Sequence, residues 1–170
     1  RAGYTPAALY FHFDSKEAMY ADVLHASLAS LGAAVRGAVS AAADPQCRMK
    51  AAAMAFFRFY AENPRDLDLG FYLFRGGMKP AGLGADRDMR LNAALEAALR
   101  PIADAAVALG ASDRRADLLV LDCFAHAAGL LLLLHTGRIR MFGASAAELM
   151  EGYVDERINR LLEEKRHADD

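Results

Sequence analysis

Three groups of residues carry types and spacings suited to chemistry. Tyr10, His12 and Lys16 fall close together near the start of the chain, Asp122 and His126 stand four apart in an apolar run, and Phe56, Phe57, Phe59, Tyr60, Phe71, Tyr72 and Phe74 gather in its first half. Tyrosine, histidine and lysine can contact phosphates or base edges. A carboxylate and an imidazole one helical turn apart share a face. They can act as a polar anchor or proton-linked sensor in a pocket, or satisfy each other in the core or across a dimer seam. Aromatic clusters furnish core packing or the walls of a small-molecule site. A metal site needs more ligands than Asp122 and His126 supply, so no cofactor is expected. Cys47 and Cys123 stand apart, without a CxxC spacing. They point to a reduced, cytoplasmic compartment, with Cys123 as a small apolar core residue. GxSxG, HExxH and a phosphate-binding glycine loop are all missing, and Arg75-Gly76-Gly77 lacks the strand–helix context of one. An enzyme is not expected.

The elements that must position these groups are helices. The chain has 170 residues, 55% of them hydrophobic, and a formal net charge of −2, so it can bury a large core and carries no basic signature. Alanine, leucine, methionine, arginine and glutamate dominate, and strand-like alternation is almost absent, which predicts an all-α fold. After Ser15 an amphipathic helix runs through Met19, Leu24, Leu28, Leu31 and Val35, with Asp44-Pro45 as its stop. A second helix covers 46–62, closed by Asn63-Pro64. A short aromatic segment follows at 67–74, and 75–86 is a glycine-rich loop, either a portal or a plain connection. The helix predicted for 87–109 contains Pro101, so a kink or break is expected there. The run from Asp113 to Thr136 is apolar all round, which predicts burial on every side; a membrane span is disfavoured because the run is short and holds Asp122 and His126. Arg138 to Ala144 is a basic turn. The last helix starts near Ser145, with Glu148 at capping-box spacing. Its narrow stripe of Leu149, Tyr153, Val154, Ile158, Leu161 and Leu162 suits docking on one surface, and a charged tail from Glu163 is expected to fray.

The opening residues say more. Thr5 is a good helix N-cap and Pro6 fits the first helical position, so a very short helix follows before Asp14 or Ser15 starts the next one. In order, Ala2-Gly3, Ala8-Leu9-Tyr10, His12-Phe13 and Ser15-Lys16-Glu17-Ala18 resemble the recognition-helix end of the helix-turn-helix in TetR-family transcriptional regulators. The match covers roughly the first tenth of the chain as a motif signature. The plain alternative is an ordinary helical hairpin with Tyr10 and His12 on its surface. The chain begins without Met and in mid-motif, so it is expected to be a piece of a longer protein. The two helices that precede this one in the family are not in it, and with Arg1 and Lys16 as the local cations, DNA binding by this piece alone should be poor.

The resemblance implies the C-terminal part of a helix-turn-helix domain over 1–27, followed by a helical ligand-binding and dimerisation domain over 28–170. Thr5, Pro6 and Ala7 would meet the major groove, Tyr10 and His12 the backbone or base edges, and Lys16 a phosphate. A small, apolar effector would be enclosed by the larger domain, with Phe57, Tyr60, Phe74, Met78 and His126 as candidate contacts, and would release a palindromic double-stranded DNA operator. The last two long helices would pair with those of a second copy, making a homodimer that needs no membrane. A different reading is a helical carrier that sequesters an apolar small molecule and has no DNA-directed role.

Overall fold

The computed structural model describes residues 15–70 and 83–169, and among them every element is helical. In chain order these are α1 (Lys16–Ser40), α2 (Pro45–Glu62), α3 (Pro64–Gly70), α4 (Ala85–Ala108), α5 (Asp113–His135), a 3-10 turn (Arg138–Phe142) and α6 (Ala146–Asp169).

Local capping chemistry sets most of these boundaries. Ser15 rather than Asp14 caps α1, its Oγ accepting from the Ala18 amide at 3.0 Å. Asp44-Pro45 proves to be a start signal and not only a stop: the Asp44 carboxylate accepts from the Cys47 amide at 2.8 Å, and Pro45 opens α2 where no amide is required. Ser112 caps α5 through the Arg115 amide at 3.3 Å, and Ser145 accepts from the Glu148 amide at 3.3 Å. Two glycines end helices in left-handed geometry, Gly110 after α4 at φ +105° and Gly137 after α5 at φ +72°.

Three elements depart from the sequence expectation. α4 is continuous through Pro101 instead of breaking there. One lost amide hydrogen bond is outweighed because Ala98, Leu99, Ile102, Ala103, Ala105 and Ala106 bury one face of the helix around the proline. The tail beyond Glu163 is helical as far as Asp169. α5 is not enclosed on every side: it buries Ala116, Leu119, Cys123, Ala127, Leu130 and Leu131, while Leu118, Leu121 and Leu132 are 42%, 60% and 59% exposed. By length and composition alone, α1 and α5 could each cross a bilayer.

α1, α2 and α4 pack most extensively on one another and form the centre; α5 joins through α4, and α6 lies against both α2 and α5. Leu31, Val35, Met49, Phe57 and Ile102 are essentially fully buried where these helices meet. α1 runs without interruption through the expected domain boundary at 27/28, burying Ala21 before it and Leu28, Leu31, Gly32 and Val35 after it. The Tyr20 hydroxyl donates to the Leu69 carbonyl and ties α1 to α3.

Candidate functional site

Of the residues expected at DNA, Thr5, Pro6, Ala7, Tyr10 and His12 lie outside the described residues. Lys16 is the first residue of α1 and is exposed. Among the candidate ligand contacts, Phe74 and Met78 also lie outside the described residues.

Phe57 and Tyr60 are core residues on α2, 2% and 6% exposed. Their spacing puts them on the buried face with Phe56, whose ring meets Tyr60 edge-on at 5.2 Å and Phe124 of α5 at 5.7 Å. Phe59 adds a second edge contact to Tyr60 at 5.2 Å. Burial pushes the Tyr60 phenol up to about 12, so it stays protonated and acts as an apolar wall with a neutral hydroxyl. The imidazole Nε2 of His135, at the end of α5, lies 2.9 Å from the Tyr60 carbonyl and pins the ends of the two helices together.

His126 makes its ring contact elsewhere. It stacks on Tyr153 of α6 with centroids 3.8 Å apart and planes 8° from parallel. The Arg157 guanidinium lies 4.5 Å from the centroid of the same tyrosine, and Arg157 Nε is 3.1 Å from the Asp122 carboxylate. Asp122 and His126 therefore share a face, as their spacing requires, but Asp122 pairs with Arg157 rather than with His126. Arg157 Nε, His126 Nε2 and the Tyr153 hydroxyl are buried without a regular hydrogen bond. Burial lowers the His126 pKa from its ordinary value; Asp122 opposes that shift and Arg157 adds to it. The imidazole is thus neutral at pH 7. Tyr153 is pushed up to about 12, first by burial and then by Asp122. A neutral imidazole on a neutral phenol with a guanidinium nearby is a stacking and cation–π assembly that joins α5 to α6. Tyr153 stood in the sequence stripe of the last helix, but its pairing with His126 and Arg157 needed the packing of two helices to become visible.

Two further features are surface ones. Between α4 and α5 lies an open groove of about 250 Å³, lined by Leu95, Leu99 and Val120 together with Glu96, Arg100 and Asp117. Of the candidate ligand contacts among the described residues, Phe57, Tyr60 and His126, none lines it. The other is the apolar face of α5 carrying Leu118, Leu121 and Leu132. Beyond it, Met141 and Phe142 of the 3-10 turn are 79% and 78% exposed and Leu149 of α6 is 45% exposed. Isolated exposed leucines are ordinary, but here three share one helical face and are followed in the chain by an exposed methionine and phenylalanine. Among the described residues no three His, Cys, Asp or Glu side chains converge as a metal site. Compared with family models and with curated proteins, the chain matches none.

Proposed function

We propose that the chain is the recognition-helix end and the sensing and dimerisation part of a TetR-like, ligand-responsive transcriptional repressor that acts as a homodimer in the cytoplasm. The observation that carries the DNA half of this reading is the ordered set Ala2-Gly3, Ala8-Leu9-Tyr10, His12-Phe13 and Ser15-Lys16-Glu17-Ala18 running straight into α1, a helix of 25 residues. On this reading α1 is a rigid lever from a DNA-facing motif to a helical body. Support for the homodimer is the apolar face of α5, which the other described residues of the protomer leave open. Two-fold symmetry would place two recognition helices on half-sites about one helical turn apart. An apolar effector held among the helices would release the operator by favouring a lever spacing that does not fit it. A clean switch needs several kcal/mol of differential binding, on the order of 5 for a near-complete population shift.

The test is a footprint of full-length protein on its own upstream DNA over a salt series. Protection of a palindromic site with a steep salt dependence is expected. Lys16→Ala should weaken binding to all sequences and reduce the logarithmic salt slope by about one, and Tyr10→Ala should weaken it strongly. Binding that ignores salt, or that both variants leave unchanged, overturns the assignment.

A further inference from the structure

The exposed face of α5 has an internal order that points to how a second copy sits on it. Leu118, Leu121, Ala125, Gly129 and Leu132 follow one another at three- and four-residue steps, and all five are exposed. Three are large and two are small. Gly129 lies in the interior of a helix, where glycine is unfavourable, and a Cβ placed on it would meet nothing within 4 Å. Among the described residues nothing in the protomer calls for a glycine there.

A two-fold interface must complement itself: if residue i meets residue j, then j meets i. For two antiparallel copies of α5 centred on Ala125, Leu118 opposes Leu132, each seven residues from the centre. Leu121 opposes Gly129, each four residues from it. Every exposed leucine gains a partner, and the bulky Leu121 meets the one position without a side chain. Moving the centre to Ala128 instead sets Leu121 against His135 and pushes Leu118 beyond the end of the helix. A parallel pairing sets Gly129 against Gly129 and leaves a gap where a contact is needed.

We infer that α5 packs antiparallel on α5 of a second copy, crossing at Ala125, with Leu121 of each copy seated over Gly129 of the other. This rests on the homodimer reading and adds its register, with Gly129 as the specificity-determining position.

A residue on the two-fold axis lies next to its own copy, so a cysteine there can cross-link to itself when the Cα atoms approach within about 7 Å. In full-length protein bearing Cys47→Ser and Cys123→Ala, Ala125→Cys should give a covalent dimer under mild oxidation. Val23→Cys, on an exposed site of α1, should not. By sedimentation, Gly129→Leu should weaken self-association about tenfold or more, because the leucine overfills a packed contact. Gly37→Leu, at a helical glycine with equally open surroundings, should leave it unchanged. A dimer that neither cross-links at 125 nor responds to Gly129→Leu overturns the register and leaves the homodimer standing. A monomer at every concentration overturns both.

Discussion

α2 and α5 make an instructive pair. α2 is 18 residues long and buries seven of them, including Phe56, Phe57 and Tyr60, leaving its charged and polar residues outside. α5 is 23 residues long, richer in leucine, and buries only six. The helix with the stronger apolar signal is thus the one with more apolar surface left open. Helical position explains the inversion. α2 is packed by α1, α4, α5 and α6, whereas α5 is covered by α4, α6, the 3-10 turn and the edge of α2, and among the described residues no further element covers its remaining face. We read that uncovered apolar face as the one proposed for a second copy.

The sharpest way to break this comparison is to cut one side chain from each helix. Phe57→Ala should cost about 3–5 kcal/mol of unfolding free energy, the range for a large core aromatic replaced by a cavity. Leu121→Ala should leave the dissociated protomer within about 0.5 kcal/mol of wild type while weakening self-association. Denaturant unfolding of each variant and sedimentation of the second measure both. Equal protomer costs would show that the α5 face is covered within the chain.

A smaller effect concerns the join between α5 and α6. Burial lowers the His126 pKa below its ordinary value of 6.5, so the unfolded chain takes up the proton more readily than the folded one. The stabilisation by neutral His126 is therefore complete above about pH 6.5 and is lost as pH falls through the folded pKa. The groups involved are Asp122 and Cys123 on α5 and Tyr153 and Arg157 on α6, with Glu156 paired to Arg157 at 3.5 Å. Arg157 opposes the new charge and the buried Nε2 has no acceptor waiting, while Asp122 tempers the loss. The ring is partly exposed, so solvent screening should keep the effect below about 1 kcal/mol. Melting temperatures between about pH 7.5 and pH 5.5 should fall more for wild type than for His126→Phe, which keeps the stack without the proton. An unchanged slope in the variant would remove His126 from the account.

These contrasts show which parts of the molecule were legible as sequence. Helix starts were, because a cap is a local event: Ser15 and Ser145 each accept from an amide three residues on. Asp44-Pro45 was legible as a boundary but not as the opening of α2, since the same dipeptide stops one helix and starts the next. Pro101 misled because a local penalty was offset by packing of its helix on three others, α1, α2 and α5. Burial on α5 misled for the related reason that coverage belongs to the assembly of helices and not to one helix. At the candidate site, Asp122 and His126 were readable as sharing a face, but their actual partners, Arg157 and Tyr153, lie about thirty residues further on, at a separation that periodicity within one helix does not report.

The mildest test concerns how α6 is held to α2. Lys50 Nζ lies 2.9 Å from Glu151 and 2.9 Å from Asp155, and these side chains are 34%, 49% and 46% exposed. The bond from Glu151 and then that from Asp155 hold the Lys50 pKa above its ordinary value of 10.5, so this stabilisation is present below that pH and fades above it. Water screens all three groups, and Lys50→Ala should cost only about 0.5 kcal/mol, less still in about 1 M salt where the Debye length is roughly 3 Å. The buried stripe of Met150, Val154, Ile158 and Leu161 on the same helix has no such salt dependence. If α6 is held by that stripe, the Lys50→Ala cost stays several-fold below that of Phe57→Ala and shrinks with salt. A cost equal to that of Phe57→Ala would mean that charge, rather than apolar burial, fixes α6, and the assignment of α5 and α6 as a rigid apolar platform for a second copy would fail with it.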